Sequence, residues 1–155
     1  MNRWIELLQA NDYLGIKKFI KEGADVNDHS DAEESVLATA VKYRCDKEII
    51  DLLIESGADM EDFDDEGVSV FDYAITYNNV DLARRMIEAG RDVNQTRRRS
   101  GFTPLMAAVC YGRGEILELL LQNGADIDAV DSKGLSAADF ARKMHKKKIL
   151  ERLTS

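Results

Sequence analysis

The side chains most often used for catalysis and metal binding are few in this chain. Its histidines are His29 and His145, and its cysteines are Cys45 and Cys110. A nucleophile or a metal site needs such groups side by side, as in a CxxC pair or an HExxH helix, and neither pattern occurs. No glycine-rich phosphate loop is present either. These four residues therefore predict no metal site and no cofactor.

Neighbouring acids are the remaining source of acid–base chemistry. Asp64 and Asp65 stand side by side, but in a polar segment that we expect to be exposed. A catalytic carboxyl group needs burial or a close like charge to raise its pKa toward neutrality, and an exposed loop gives no such burial. The sequence therefore predicts that the chain is not an enzyme.

Three tyrosines indicate recognition of a protein surface instead. Tyr43, Tyr77 and Tyr111 recur at intervals of 34 residues. Tyrosine combines a large rigid contact area with a polar tip, and it is enriched among the residues that dominate binding energy. The alternative is that the three rings only cover neighbouring parts of the fold. We favour binding and keep packing as the alternative.

A similar period appears in four glycine motifs, and it indicates which elements position the tyrosines. The motifs begin at Gly23, Gly57, Gly90 and Gly124, at spacings of 34, 33 and 34 residues, and each has Asp two positions later. A period of this length predicts stacked units, none of which can bury its apolar face alone. The expected fold is an elongated solenoid, in which Cys45 and Cys110 lie roughly 20 Å apart, beyond disulfide reach.

Each unit contains the sequence signals of two helices. A hydroxyl residue precedes a short apolar helix at Ser35, Ser69, Thr103 and Ser136. Such a side chain accepts hydrogen bonds from the free amides of a first helical turn, where Pro104 also fits. A second helix follows, with apolar residues at helical spacing, and the next motif glycine ends it in a left-handed conformation.

The fourth unit resembles one family closely, the ankyrin repeat. Residues 101–112 read Gly-Phe-Thr-Pro-Leu-Met-Ala-Ala-Val-Cys-Tyr-Gly, and residues 115–126 run from Glu-Ile-Leu-Glu to Gly-Ala-Asp. They follow the family pattern G-x-T-P-L-H-x-A-A and L-L-L-x-x-G-A-D, with Met106 in place of the histidine. The resemblance implies an all-α solenoid of antiparallel helix pairs joined by hairpin-like loops. It implies a single domain, 1–155, with repeats at about 1–27, 28–61, 62–94, 95–128 and 129–155, the first and last of them caps.

The chain departs from the family pattern in three ways. The first-helix histidine of the family is replaced in the last four units, by Ala38, Asp72, Met106 and Asp139, so its hydrogen bonds must be absent or remade. One extra residue falls in the turn around 44–46 and another in the connection 95–100. Arg84, Arg85 and Arg91 stand near positions that are small or apolar in the fourth unit, so we expect the third unit to be the least regular.

The resemblance also implies a binding surface. Ankyrin repeat proteins use their concave side, which consists of the hairpin tips and the exposed ends of the first helices. Transferred position by position, this gives the candidate partner-binding residues Tyr43, Tyr77, Tyr111, Phe63, Phe102, Lys42, Asp65, Glu66, Arg98, Arg99 and Met144.

The charge of the chain narrows the class of partner. The net charge is −8, which disfavours nucleic acid and anionic membranes and favours a protein with a basic patch. Acids crowd residues 61–66 and arginines fill 97–99, so neighbouring tips carry opposite charge; a merely solvated surface is the alternative. The basic run 143–148 is interpreted as a solvated cap. No apolar run spans a membrane and no export signal is visible, so we expect a soluble cytoplasmic monomer, with export an alternative for a processed form.

Two functions without catalysis fit these patterns. In the first, the chain is an inhibitor or immunity-type protein that covers the active site of a partner enzyme. In the second, it is a scaffold or adaptor that holds its partner without inhibiting it. Both use the same concave face, and we favour the first.

The helix register makes a prediction about stability. Leu120 lies on the predicted buried side of a second helix, so Leu120→Ala should lower the free energy of unfolding by about 2 to 5 kcal/mol. Lys147→Ala, at a polar position, should cost less than about 0.5 kcal/mol. Urea denaturation followed by circular dichroism measures both, and equal losses would contradict the register.

Overall fold

The computed structural model describes all residues from 1 to 155 and contains ten helices. They are α1 (Asn2–Gln9), α2 (Tyr13–Lys21), α3 (Val36–Lys42), α4 (Lys47–Glu55), α5 (Val70–Thr76), α6 (Val80–Glu88), α7 (Pro104–Cys110), α8 (Gly114–Gln122), α9 (Ala137–Lys143) and α10 (Lys147–Thr154). Sheet pairing is limited to isolated bridges in the connections, such as that between Phe63 and Ser69. The predicted all-α solenoid of helix pairs and hairpin-like loops is confirmed. One helix pair lies in each predicted unit, while the unit boundaries and the single domain stay a prediction.

The predicted helix starts are confirmed at all four hydroxyl residues. Each accepts a hydrogen bond from the backbone amide three residues ahead, at 3.0 to 3.3 Å, and these residues are Ser35, Ser69, Thr103 and Ser136. Pro104 is the first residue of α7, where its missing amide proton costs no hydrogen bond. The four motif glycines that follow the second helices have φ between 89° and 101°, the left-handed conformation predicted for them.

The helices stack in two rows around one core. The first helices contact one another in chain order, from α1 to α9, and second helices such as α2 and α4 also meet. The buried core runs from Trp4 in the first pair, through Leu53 and Met106, to Leu153 in the last. Leu120 is fully buried, as the helix register predicts. Neighbouring pairs therefore cover the apolar face that each would otherwise expose to water.

Asparagine side chains link successive connections. The Asn27 amide donates to the Gly57 carbonyl oxygen at 3.0 Å and accepts from the Asp59 backbone amide at 2.8 Å. Asn94 makes the same two bonds to the connection that follows it, at 3.1 and 2.7 Å. One side chain thus satisfies a donor and an acceptor of the next unit, which holds the units in register.

Between the second and third units an ion pair takes the place of the asparagine hydrogen bonds. Glu61 occupies the position of the two asparagines, and Arg91 stands where the other motifs have alanine. Arg91 Nη1 lies 2.9 Å from Glu61 Oε2, and the guanidinium sits over the Phe71 ring at 5.0 Å. The Arg91 side chain is only 6% exposed. The two substitutions therefore compensate each other across the interface between units.

The expectation of an irregular third unit is wrong for its backbone. Helices α5 and α6 have seven and nine residues, the same lengths as α7 and α8. The arginines point to acids of neighbouring units: Arg84 lies 3.5 Å from Glu115, and Arg85 pairs with Asp51. Long cationic side chains are accommodated because their charged ends reach these acids beyond the core.

The two predicted extra residues are found in loops. Residues 43–46 separate α3 from α4, one more than the turns of the next three pairs. The connection that precedes Thr103 is one residue longer than its counterparts, and it lacks the bridge that the second, third and fifth units form. Both insertions leave the helices unchanged.

Gly67 fixes how closely the third and fourth hairpin tips approach. Its φ is 80°, and a Cβ atom there would collide with the Arg97 carbonyl oxygen of the next tip. Gly134, with φ 79°, has the equivalent place in the fifth unit, but nothing lies within 4 Å of the corresponding Cβ position. The tip that carries Asp65 is thus held against the arginine-rich tip.

We expect the two glycines to differ in their tolerance of a side chain. Gly134→Ala should cost about 1 to 2 kcal/mol of unfolding free energy, because alanine pays only the left-handed backbone penalty. Gly67→Ala should cost a further 1 to 3 kcal/mol or so, because the tips must also separate. Urea unfolding of both variants measures the difference, and equal costs would show that the two tips are not in close contact.

Candidate partner-binding groove

A groove of about 570 Å³ opens between the hairpin tips and the C-terminal ends of the first helices. Six of the predicted site residues line it: Lys42, Asp65, Glu66, Tyr77, Arg98 and Tyr111. The other lining residues are Ala32, Glu34, Asp64, Val68, Tyr73 and Thr76. The structure thus brings together predicted residues from three successive units, and five other predicted residues lie outside this groove.

The three tyrosines occupy the same place in the fold. Tyr43, Tyr77 and Tyr111 are the residues that end α3, α5 and α7, so their common register holds in three dimensions. Tyr43 is half-buried and does not line the groove; its hydroxyl accepts a hydrogen bond from Gln9 at 3.2 Å. The Lys42 ammonium lies 5.8 Å from the Tyr43 ring centroid. Tyr43 is therefore engaged with neighbouring side chains.

The other two tyrosines differ in their exposure to solvent and in their contacts with other side chains. Tyr77 is half-buried, with its ring 6.1 Å from that of Tyr73 and the Arg44 guanidinium 5.9 Å from its centroid. Tyr111 is 48% exposed, and no cation lies over its ring. The packing alternative thus describes much of the surroundings of Tyr43 and Tyr77, whereas Tyr111 presents an open aromatic surface to the groove.

The two predicted phenylalanines also lie outside the groove. Phe63 is exposed beneath the Arg97 guanidinium, which is 4.6 Å from its ring centroid. Phe102 is half-buried and packs edge-on against Phe140 at 5.5 Å, with Arg98 over it at 5.2 Å. Phe102 therefore packs between the fourth and fifth units.

Arg99 and Met144 are exposed and lie elsewhere. Arg99 lines a second groove of about 410 Å³, which shares Asp65, Glu66 and Arg98 with the first. Met144 ends α9 at the position of the three tyrosines, on the last unit. The acidic pair at 65 and 66 thus forms a ridge between a tyrosine-lined groove and an arginine-lined one.

A hydrogen-bonded network holds one wall of the groove. Lys42 Nζ donates to both Glu34 carboxylate oxygens, at 3.0 and 3.2 Å, and these bonds raise the pKa of Lys42. The Tyr73 hydroxyl donates to Glu34 at 2.9 Å and lies 3.3 Å from Asp64 Oδ2. Burial, followed by the bond to Glu34, raises the pKa of Tyr73. These acids are therefore already engaged within the protein.

Tyr73 lines the groove but is not among the residues predicted from the sequence. In the first helices of the second and fourth units the same position holds Thr39 and Ala107, whereas the fifth unit has Phe140. An aromatic residue at a position that is small in neighbouring units was the available signal. In the repeat family this position belongs to the helix rather than to its exposed end, so the transferred surface did not include it.

Asp72, which stands at the position of the family histidine, forms an ion pair with an arginine of the next hairpin tip. Asp72 is 2% exposed and closes a capping box with Ser69, accepting from its amide at 2.9 Å and its hydroxyl at 3.0 Å. Arg98 Nε of the next tip lies 3.6 Å from Asp72 Oδ2. The Arg98 side chain is 16% exposed, so most of it is committed to the fold.

Asp65 and Glu66 are the charged groups of the groove that have no partner within the protein. Both are exposed, and neither carboxylate forms an ion pair or a hydrogen bond. The Glu66 backbone amide donates to Asp64 Oδ1 at 2.9 Å, which fixes the tip beneath them. The groove therefore combines a rigid tip, two free carboxylates and the open Tyr111 ring.

Comparison with protein families decides the class of the chain. A family model described as ankyrin repeats in three copies matches residues 6–97, and one described as a single ankyrin repeat matches residues 100–132. The first match alone covers more than half of the sequence. The chain belongs to the ankyrin repeat family. Ankyrin repeats are protein–protein interaction modules, and this ankyrin repeat protein is one in that general sense.

Proteins of very different kinds share the repeats. The E3 ubiquitin-protein ligase hecd-1 of Caenorhabditis elegans is 30% identical over 68% of this chain and 4% of its own length. The potassium channel AKT1 of Oryza sativa subsp. indica is 44% identical over 39% of this chain and 6% of its own. Alpha-latrocrustotoxin-Lt1a of Latrodectus tredecimguttatus is 27% identical over 88% of this chain and 9% of its own. The chain thus spans under a tenth of each, and the common feature is the repeat.

The remaining reactive side chains do not converge. Burial raises the pKa of the Cys45 thiol to about 11, and the thiol donates to the Leu8 carbonyl oxygen at 3.2 Å. Burial also raises the pKa of Cys110, so neither is a ready thiolate at neutral pH. No cluster of three or more His, Cys, Asp or Glu is placed to bind a metal ion.

None of the ten helices has the length and apolar composition needed to cross a bilayer.

The Tyr73 hydroxyl should contribute measurably to stability. Tyr73→Phe removes its bond to Glu34 and should lower the unfolding free energy by about 1 to 2 kcal/mol. Because the pKa of Tyr73 is raised above 10.0, this contribution is complete below pH 10 and is lost as the pH rises through the raised value. Tyr43→Phe, whose hydroxyl only accepts from exposed Gln9, is the control, with a cost below about 0.5 kcal/mol. Guanidinium unfolding at neutral and alkaline pH measures these effects, and equal costs would contradict the network.

Proposed function

We propose that this ankyrin repeat protein binds a partner protein in the groove between its hairpin tips and first helices. The observation that carries the proposal is the coincidence, in one groove, of the open Tyr111 ring with the unpaired carboxylates of Asp65 and Glu66. Exposed aromatic rings in a concavity are typical anchors of interfaces, and unpaired charges add orientation and speed to association.

The size of the groove indicates how a partner would use it. A volume of about 570 Å³ holds a few side chains and not a folded domain. A stable complex buries about 800 Å² on each partner, so the contact must extend from the groove onto the neighbouring tips. The exposed residues Phe63 and Arg99 lie on these tips and would belong to the rim. We therefore assign Tyr111 to the centre of the interface and the other exposed tip residues to its edge.

The charge of the groove supports the inhibitory role over the scaffold. The whole chain carries a net charge of −8, and two of its carboxylates, Asp65 and Glu66, line the groove without forming an ion pair within the protein. An enzyme that acts on anionic substrates has a basic active site, and an acidic concave surface is complementary to such a site. Our proposal is that the protein covers the basic active site of a partner enzyme.

Loss of the partner in a groove variant tests the binding surface. The triple variant Tyr111→Ala, Asp65→Asn, Glu66→Gln should bind its partner at least about 30-fold more weakly, because it loses a central anchor and both free charges. Crosslinking with affinity capture from the native cell identifies the partner, and titration of the purified pair measures affinity.

A matched control also removes one tyrosine ring and two carboxylate charges, but on the second helices. Tyr13→Ala, Glu48→Gln and Glu55→Gln alter exposed residues of α2 and α4 that form no ion pairs, and this variant should bind like the wild type. If the control loses the partner while the groove variant keeps it, the surface is wrong. If the bound partner is an enzyme that stays fully active, the inhibitory role is wrong and the protein is a scaffold.

A further inference from the structure

We infer that the groove receives an arginine side chain of the partner, held between the Tyr111 ring and the carboxylates of Asp65 and Glu66. The inference rests on the proposed function, because it names the group that the same groove would bind. Two independent observations support it, one from the aromatic rings and one from the charges.

The first observation is that cations of this protein already cover four of the five aromatic residues predicted for the binding surface. Each of these four rings has a cation within 5.9 Å of its centroid: Tyr43 under Lys42, Phe63 under Arg97, Tyr77 under Arg44 and Phe102 under Arg98. Tyr111 is the exception, and it is also the most exposed of the three tyrosines in register. A cation supplied by a partner can therefore occupy the face that is left open.

The second observation is the distribution of charge along the groove. Its two basic side chains pair with acids of this protein. Lys42 contacts both carboxylate oxygens of Glu34, and Arg98 pairs with the buried Asp72. The acids that contact the Tyr73 hydroxyl are likewise engaged. Asp65 and Glu66 remain, and their negative charges face the same groove as the Tyr111 ring. The unmatched charge of the groove is thus negative, and the complementary ligand is a cation.

The geometry of such a site favours arginine over lysine. A guanidinium group is planar, so it stacks on an aromatic ring while its edge donates hydrogen bonds to carboxylates. A lysine ammonium is a compact, strongly hydrated charge that gains less from stacking. Within this protein four of the five cations over rings are arginines. We therefore expect the partner segment to present an arginine.

A short peptide isolates this contact from the rest of the interface. The probe is the blocked peptide acetyl-Gly-Gly-Arg-Gly-Gly-amide, and its control carries citrulline, which keeps the shape of arginine without its charge. Two-dimensional NMR of the isotope-labelled protein should show saturable shifts at the Tyr111 ring and at the amides of residues 65–66. Half-saturation should fall in the millimolar range, about tenfold or more weaker for citrulline, and intermediate for lysine. Equal shifts for arginine and citrulline, shifts confined to other residues, or no shifts at millimolar peptide would overturn the inference.

Two variants separate the ring from the charges. Tyr111→Leu and the pair Asp65→Asn, Glu66→Gln should each weaken binding of the arginine peptide, whereas the pair Glu48→Gln, Glu55→Gln changes the net charge equally and should not. If that control weakens binding as much, the attraction is only the overall charge and the site is refuted.

The inference and the proposed function can fail separately. If the groove variant loses the partner but the short peptide shows no preference for arginine over citrulline, the arginine site is refuted. The groove then remains the binding surface. If the groove variant binds the partner as tightly as the wild type, both the arginine site and the groove as the binding surface are refuted.

Discussion

Each helix pair of this protein has an apolar side that only the next pair can cover, and the whole structure depends on that contact. Residues such as Ile16, Leu53 and Leu120 are fully buried because another unit lies against them. The same stacking sets the hairpin tips side by side and brings the ends of α3, α5 and α7 into register. A groove that takes its walls from three units exists only while those units remain stacked.

Local sequence signals were sufficient to predict the helices, because they act within one unit. The hydroxyl residues at helix starts, Pro104 and the left-handed glycines each have their effect within a few residues of chain. Contacts between units were harder to predict from the sequence. The compensation between Glu61 and Arg91, or the pairing of Asp72 with Arg98, requires knowing which side chains meet across the interface. The family pattern showed that the histidine was replaced, but not what replaced its bonds.

In the candidate site, too, the positions of the residues could be predicted from the sequence, whereas their contacts could not. The equal spacing of Tyr43, Tyr77 and Tyr111 placed all three correctly at helix ends, since the period is a property of the backbone. Their surroundings differ, because the long side chains of Lys42 and Arg44 reach two of the rings and leave the third open. Packing and binding are therefore not exclusive interpretations of the series. Most of the charged and aromatic residues that line the groove contact other side chains of the protein, and the exceptions are Tyr111, Asp65 and Glu66.

Carboxyl footprinting of the native complex tests most directly whether the concave groove is the binding surface. Carbodiimide coupling of an amine to exposed acids, read by peptide mass spectrometry, compares the free protein with the complex. Our interpretation predicts that Asp65 and Glu66 lose most of their labelling in the complex, while Glu55 and Glu88 on the second helices keep theirs. Protection of Glu55 and Glu88 with unchanged labelling at the tip would place the partner on the opposite side and contradict it.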